Sequence, residues 1–341
     1  MIALHSPLQR RHDPQFFLSS GAQKPCPEAP SRIDALLQGL DKLGIAPQEP
    51  RDHGIDAIAA IHPERYLTFL QTIHARWSRI DGASAEVIPS IHPAARPNSF
   101  EPGYPLSAVG QAGFHMTDTS APIGPHTWAA AYASAQCAIH GTELLLCGQT
   151  AYALCRPPGH HAFHDLAGGF CYLNNTAIAA QQLALSGRRV AILDIDLHHG
   201  NGTQAIFYDR PDVLTVSLHA HPERFYPFFW GYPEERGHAA GQGTNLNLTM
   251  PRGTGDMGFL RHLDSALQTI TDWQADTLVL ALGLDAFVGD PFAGLAVTTE
   301  GFTQVARQIR SLNLPTLIVQ EGGYLCPELG DNLAAVLQAW L

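Results

Sequence analysis

The sequence lacks an apolar run long enough to cross a membrane, which takes about 20 residues. Residues 1–5 form too short an apolar stretch before Arg10 and Arg11 to act as a secretory signal. We therefore expect a cytoplasmic protein with no membrane partner.

Basic side chains are scarce. The chain has 20 Lys and Arg residues against 31 Asp and Glu residues, a formal net charge of −11 with histidine neutral. Nucleic-acid-binding proteins usually present basic surfaces, so we expect no nucleic-acid partner. The excess of acidic residues favours a cationic substrate, but such an excess is also common in cytoplasmic proteins.

Cysteines are few and linker-like segments are absent. The six cysteines have no CxxC spacing and several lie in apolar runs, which predicts reduced thiols rather than disulfides. There is no Ser/Gly-rich linker or internal repeat, and 45% of the 341 residues are hydrophobic. Because a chain of this length can bury a large core, we expect a single domain over residues 1–341.

Five apolar runs, which begin near residues 151, 190, 213, 277 and 316, alternate with segments of helical periodicity. The predicted helices lie near 127–146, 174–186, 259–274, 301–312 and 328–340, after an earlier one from an N-capping Ser31 to Gly44. This alternation predicts an α/β protein with a mainly parallel sheet and helices on both faces.

Acidic and histidine side chains are concentrated after the run at 190, where Asp194, Asp196, His198 and His199 lie within six residues. In α/β sheets, ligands bind beyond the carboxyl ends of the strands. Alternate residues of an extended segment point to the same side, so Asp196 and His198 could share one cation. An isolated Asp-His pair would more often cap a helix.

Two more strand ends carry groups of the same kind. His160 and His161 follow the run at 151, and Asp285 follows the run at 277. A hydrolytic zinc site takes three His, Asp or Glu ligands and leaves one position open for water. Asp196, His198 and Asp285 provide that set, and the two adjacent histidines could then act as a base and an electrostatic stabiliser.

The apolar run at 316 is followed by Gly322-Gly323, a turn that could bring the Tyr324 hydroxyl to the same crevice. Together these segments resemble the zinc-dependent deacetylases, which include histone deacetylases and acetylpolyamine amidohydrolases. The motifs occur in family order: RPPGHHA at 156–162, GGFCYLNN at 168–175, DIDLHHGNGTQ at 194–204, VSLH at 216–219, LGLDAFVGDP at 282–291 and EGGY at 321–324. The resemblance implies the arginase/deacetylase fold with a mainly parallel, eight-stranded sheet.

The resemblance implies two metal sites. One catalytic zinc ion per chain would have as ligands Asp196, His198 and Asp285. A structural potassium ion would have as ligands Asp194, Ser217 and nearby backbone carbonyls that include that of Leu218.

The resemblance also implies catalytic roles. His161 would take a proton from water and later deliver it to the leaving amine, and His160, steered by Asp194, would stabilise developing charge. Asn201 stands where some members carry Asp. Because an amide cannot raise the basicity of an imidazole as a carboxylate does, we expect His161 to stay neutral to a lower pH. Tyr324 would bind the substrate carbonyl.

The substrate would enter a narrow tunnel whose lining residues are implied to be Gly169, Phe170, Tyr226 and Phe292. Residues 80–125, rich in Pro and Gly, look like an insertion of the acetylpolyamine branch, which implies a homodimer and a small acetylated amine as substrate. Val109 and Ser120 stand where that branch carries acidic residues, and Phe292 stands where a polyamine-selective relative carries Glu. Asp118 lies close by and could compensate.

Three alternatives stay open at this stage. The enzyme could instead remove acyl groups from lysine in proteins or peptides. It could be a binuclear metal hydrolase of the arginase type, although His160, His161 and Tyr324 argue against this. It could also be a non-catalytic binding module, although no implied catalytic residue is missing.

Overall fold

A computed structural model describes residues 1–93 and 103–341. Within them, nine strands are present: β1 (Ile2–Leu4), β2 (Phe16–Ser19), β3 (Ala22–Pro25), β4 (Ala151–Ala153), β5 (Val190–Asp194), β6 (Val213–Ala220), β7 (Asn245–Met250), β8 (Thr277–Leu282) and β9 (Thr316–Gln320). Seven of these strands form one sheet in the order β1-β4-β9-β8-β5-β6-β7, and β2 and β3 form a separate antiparallel hairpin.

Every pairing in the seven-stranded sheet is parallel. The strands β5, β8 and β9 are buried along their whole length, which explains why they read as continuous apolar runs rather than alternating ones. Because β9, β8 and β5 are neighbours, their carboxyl ends meet at one edge of the sheet.

The predicted strand count of eight is wrong by one, since the sheet has seven strands in the described residues. Beside β1 there is only an isolated bridge between Leu4 and Gln48. The Gln48 amide donates to Ala3 and its carbonyl accepts from His5, both at 2.9 Å. Pro47 lacks an N–H, as does Pro50, so the ladder cannot extend far on either side.

Ten α-helices are present in the described residues: α1 (Ser31–Lys42), α2 (Asp56–Ala59), α3 (Glu64–Trp77), α4 (Ala108–His115), α5 (Thr127–Leu146), α6 (Asn175–Leu185), α7 (Asn201–Phe207), α8 (Asp256–Asp272), α9 (Thr299–Arg310) and α10 (Leu329–Leu337). The core has two parts, one on each face of the sheet. The part with α3, α5 and α6 includes Phe69 and Ile178, and the part with α1, α8, α9 and α10 includes Leu36 and Phe302. The predicted α/β arrangement is therefore confirmed.

The predicted N-cap of α1 is wrong. Ser31 is the first helical residue, Pro30 precedes it, and the cap has no side-chain hydrogen bond. Proline is well suited to a helix start because its φ is already close to the helical value. The helix still ends where Gly44, with φ of +69°, allows the chain to turn away.

Residues 80–125 are more ordered than the predicted loop insertion, although 94–102, which include the apolar Phe100, lie outside the described residues. Val87 and Ile123 form an antiparallel bridge and are buried in the core. Helix α4 packs against α3 and buries Ala112. Some apolar residues of this segment are thus buried against other parts of the same chain, whereas Ile91 and Leu106 are exposed.

All six cysteines are free, and four of them are buried, as expected for reduced core thiols. No helix within residues 1–93 and 103–341 combines the length and apolar character needed to cross a bilayer.

Candidate active site

Three side chains with metal-binding groups converge where β5 and β8 end. Asp196 and His198 follow β5, Asp285 follows β8, and each offers a ligand atom within 4.8 Å of the other two. His198 Nδ1 lies 3.2 Å from Asp196 Oδ1 and 3.0 Å from Asp285 Oδ2. All three residues are buried. Two carboxylates and one imidazole are a donor set that suits zinc.

Backbone groups hold these carboxylates in place. The Leu197 amide donates to Asp285 Oδ1 at 2.9 Å, and the Gly322 amide donates to Asp196 Oδ2 at 2.8 Å. A Cβ on Gly322 would lie 2.5 Å from Asp196 Oδ2 and 2.6 Å from Asp285 Oδ2. Glycine is therefore required after β9 for the backbone to approach the donor set this closely.

The donor set concentrates negative charge in a buried place. Burial lowers the pKa of His198, but Asp196 and Asp285 outweigh this effect and raise the pKa to about 9. Burial and the neighbouring Asp196 raise the pKa of Asp285. Both shifts show that the cluster favours an added positive charge, which a metal ion would supply.

His160 and Asp194 form a buried pair. His160 Nδ1 lies 2.9 Å from Asp194 Oδ2. Burial opposes a charge on His160, but Asp196 and Asp194 outweigh it and raise its pKa to about 10. These two carboxylates therefore favour the imidazolium form of His160.

His161 has the opposite character. Its Nδ1 lies 2.7 Å from Asn201 Oδ1, which can only accept, so Nδ1 carries the proton and Nε2 is free. Burial and the positive charges of His160 and His198 lower the pKa of His161 well below 6.5. The ring is thus neutral, as predicted, but the main cause is burial rather than the amide at position 201.

A cavity of about 410 Å³ leads to these groups. The four predicted tunnel residues all line it: Gly169, Phe170, Tyr226 and Phe292. His161, His198 and Tyr324 line it too. The aromatic walls and the donor set therefore share one opening.

Tyr324 is brought into this cavity by the turn after β9. Gly323 has a φ of +110°, a conformation that favours glycine. The Tyr324 ring lies 4.8 Å from that of Phe292 and 5.9 Å from that of Phe170. Behind it, the Arg32 guanidinium lies 4.9 Å from the ring centroid.

The residues expected at a potassium site lie next to one another but away from the cavity lining. Ser217 on β6 is the register partner of Asp194 on β5. The Ser217 hydroxyl lies 2.8 Å from His219 Nδ1, and Leu218 is fully buried in the core.

Sequence reasoning missed the role of Glu321. Its Oε2 accepts from the amides of Gly159 and His160 at 2.6 and 3.0 Å, and its Oε1 accepts from Thr176 at 2.6 Å. Glu321 therefore holds the loop that carries the two histidines. The only sign of this role in the sequence is the place of Glu321 in the EGGY motif. Its backbone amide partners leave no pattern in the sequence, because every residue except proline has an amide N–H.

Sequence reasoning also missed part of the cavity wall. Phe17 and Leu18 of the β2–β3 hairpin line the opening, and Phe17 packs edge-on against Phe170 at 5.6 Å. Asp118, which the sequence predicted as a compensating acidic group, also lines the opening and accepts hydrogen bonds from the Tyr226 hydroxyl at 2.7 Å and the Gly169 amide at 3.1 Å. The hairpin is too short and irregular to give a clear strand pattern.

Known proteins are similar to this chain over almost its whole length. The family model for the histone deacetylase domain matches residues 26–340. The chain is 44% identical to the acetylpolyamine amidohydrolase of Burkholderia pseudomallei over 333 residues, which cover 97% of this chain and 96% of that protein. It is 41% identical to acetylpolyamine amidohydrolase 1 of Pseudomonas aeruginosa, with 100% and 99% covered.

The fold agrees with these matches. A crystal structure of acetylpolyamine aminohydrolase from Burkholderia pseudomallei superimposes with a TM-score of 0.94 at 43% identity, covering 100% of this chain and 98% of that one. Similarity of this extent over the whole length leaves one family assignment. The chain belongs to the histone deacetylase family.

Proposed function

We propose that this protein hydrolyses small N-acetylated amines to acetate and the free amine, with one zinc ion bound by Asp196, His198 and Asp285. The observation that carries the proposal is the cavity with aromatic walls whose lining includes His198 of this donor set, His161 and Tyr324. The names of the most similar relatives support the choice of substrate.

Zinc at this donor set would act as a Lewis acid on the acetyl carbonyl and make a water molecule more acidic. His161 then acts as the general base, since it lines the cavity and its Nδ1 carries the proton, which leaves Nε2 unprotonated. Asn201 fixes the tautomer by accepting from Nδ1. The same His161 Nε2 returns the proton to the leaving amine.

Two other groups stabilise the negative charge that develops on the carbonyl oxygen. Burial raises the pKa of Tyr324 well above 10, so its hydroxyl keeps the proton that it donates. Against the opposing effect of burial, the Asp194 carboxylate favours the charged form of His160, which would place positive charge next to His161.

The cavity mouth supports a cationic substrate. Phe170, Tyr226 and Phe292 provide apolar walls for a methylene chain, and Asp118 provides a carboxylate at the opening. Val109 and Ser120 are neutral, so Asp118 is the acidic side chain that lines this cavity. One such carboxylate suits an amine with a single free ammonium group.

Activity on a panel of acetylputrescine, acetylcadaverine, acetylspermidine and acetyl-lysine peptides tests this proposal. We expect the acetylated diamines to have the highest kcat/KM. Acetyl-lysine peptides that react as fast as acetylated diamines would favour the alternative of a protein or peptide deacylase. A zinc content of one per chain is expected, whereas two per chain would indicate a binuclear arginase-type centre.

We also propose a homodimer and a structural potassium ion. The dimer is supported by the exposed apolar side chains of Ile91 and Leu106, which are 63% and 90% accessible. The potassium site is supported by the pairing of Asp194 and Ser217 on adjacent strands. Light scattering tests the first proposal, where a monomer would contradict it. Thermal stability in potassium and in tetramethylammonium salts tests the second.

A further inference from the structure

Asp290 connects two loops of the active site. It lies on the loop between β8 and α9 and is 4% exposed. Its Oδ1 accepts from the amide of Phe292 at 2.8 Å, and its Oδ2 accepts from the amide of Tyr324 at 2.9 Å. One carboxylate oxygen therefore holds the residue that forms an aromatic wall, Phe292, and the other holds the residue that carries the hydroxyl, Tyr324.

The two residues that Asp290 holds also contact each other. Their rings meet at 4.8 Å in an edge-on arrangement, and the Phe292 ring lies 5.1 Å from that of His198. A displacement of Phe292 would thus change the ring packing of both Tyr324 and His198.

The Tyr324 hydroxyl has no protein hydrogen-bond partner among residues 1–93 and 103–341, so the tip of the side chain is not anchored. Its position depends on ring packing and on its backbone. Gly323 precedes it with φ of +110°, and glycine allows the chain a wide range of conformations there. The bond from the Tyr324 amide to Asp290 fixes the backbone just after this permissive point.

We propose that Asp290 is a positioning residue that sets the Tyr324 hydroxyl against the substrate carbonyl and Phe292 against the substrate chain. The inference rests on the proposed deacetylase function and adds a residue to it. Asp290 neither lines the cavity itself nor belongs to the group of metal-binding side chains, so it acts through the two lining residues whose amides donate to it.

A carboxylate is required because both partners are donors. Asparagine has one acceptor oxygen, and its NH₂ group would face the second amide N–H. Asp290→Asn therefore preserves side-chain size but loses one of the two contacts.

The test is a double-mutant cycle with acetylputrescine, using wild type, Asp290→Asn, Tyr324→Phe and the double variant. Misplacement of a reacting group by about 1 Å can cost about 100-fold in rate, so we expect Asp290→Asn to lower kcat by about 10- to 100-fold with bound zinc unchanged. In the Tyr324→Phe background the hydroxyl is already absent, and the further loss should be under about 3-fold.

Asp256→Asn is the matched control. Asp256 also accepts two hydrogen bonds, both from Thr298, but at the start of α8 and outside the cavity lining. This variant should keep wild-type kcat. Should Asp290→Asn fail to fold, Asp290→Ala assayed with and without formate replaces it, and formate should restore part of kcat.

Two results would overturn the positioning role: a kcat within about 2-fold of wild type, or an equal loss in both backgrounds, which would indicate general structural damage. Failure of the proposed function looks different, because Tyr324→Phe itself would then leave kcat unchanged. A wild-type protein inactive on the whole substrate panel would overturn both proposals.

Discussion

At the scale of single residues, the site depends on opposite charge states in neighbouring side chains. His160 and His161 are adjacent in sequence and their rings lie 4.0 Å apart, yet the pKa of one is raised and that of the other is lowered. Burial lowers both pKa values, but nearby carboxylates outweigh it for His160, whereas the hydrogen-bond partner of the His161 ring is the Asn201 amide. A charged imidazole beside a neutral one also makes the second harder to protonate.

Asp285→Ala should abolish both zinc binding and activity, because it removes one of three donors from a buried cluster. Elemental analysis of the purified variant checks the metal, and the deacetylation assay checks the activity. Asp272→Ala, at the exposed end of α8, is the control and should keep its zinc. Stoichiometric zinc in Asp285→Ala would remove this residue from the ligand set.

Tyr324→Phe should lower kcat by about 100- to 1,000-fold, the typical cost of losing one donor to a developing oxyanion. Zinc content and KM should change little, because no hydrogen bond within the described residues joins the hydroxyl to Asp196, His198 or Asp285 and none of these ligands is removed. Steady-state kinetics with an acetylated diamine measure the effect. A variant within a few-fold of wild type would show that the hydroxyl takes no part in the reaction.

At the scale of elements, the turn after β9 is as important as the strands. It supplies an amide to Asp196, places Tyr324 in the cavity and lets Glu321 hold the histidine loop. The close approach of this turn to two carboxylates is possible only without a side chain at position 322.

Gly322→Ala should weaken zinc binding, because its Cβ would overlap Asp196 Oδ2 and Asp285 Oδ2. Zinc affinity, measured by competition with a chelator, should fall while the protein stays folded by circular dichroism. Gly103→Ala is the control, since no atom of residues 1–93 and 103–341 lies within 4 Å of a Cβ there. Equal zinc affinities for the two variants would contradict the steric argument.

At the scale of the whole molecule, buried neutral histidines make stability depend on pH. His62 is fully buried, donates from Nδ1 to the His164 carbonyl at 2.8 Å and accepts at Nε2 from the Asn174 amide at 2.9 Å. A proton on Nε2 would oppose the Asn174 N–H. Burial accordingly lowers the pKa of His62 to about 4.

The unfolded chain protonates this imidazole near pH 6.5, whereas the folded chain does so only near pH 4. The stability that His62 contributes is therefore complete above pH 6.5 and is lost as the pH falls towards 4, by up to about 3 kcal/mol. Denaturant unfolding of wild type and His62→Gln between pH 4 and 7 measures this. The free energy of unfolding of His62→Gln should depend less on pH than that of wild type. An equal pH dependence for the two proteins would contradict the prediction.

The sequence alone predicted which acidic and histidine side chains meet at the donor set, and it predicted the central strands. Buried parallel strands need continuous apolar runs, and the chemistry needs particular side chains directly after them. These are local requirements, so they leave local patterns, as in the runs at 190 and 277. The resemblance supplied the residue roles that these patterns left open.

Only the tertiary structure decided how those residues are held. Glu321 and Asp290 bind backbone amides, which every residue except proline has, so no side-chain pattern marks their partners. Phe17 reaches the cavity from a hairpin more than 100 residues away in sequence from Asp118 and Phe170. Within the described residues, the absence of an eighth strand depends on the prolines near Gln48, and the burial of Val87 depends on its pairing with Ile123. Contacts between segments so far apart are set by packing of the whole chain, because neither partner constrains the local sequence of the other.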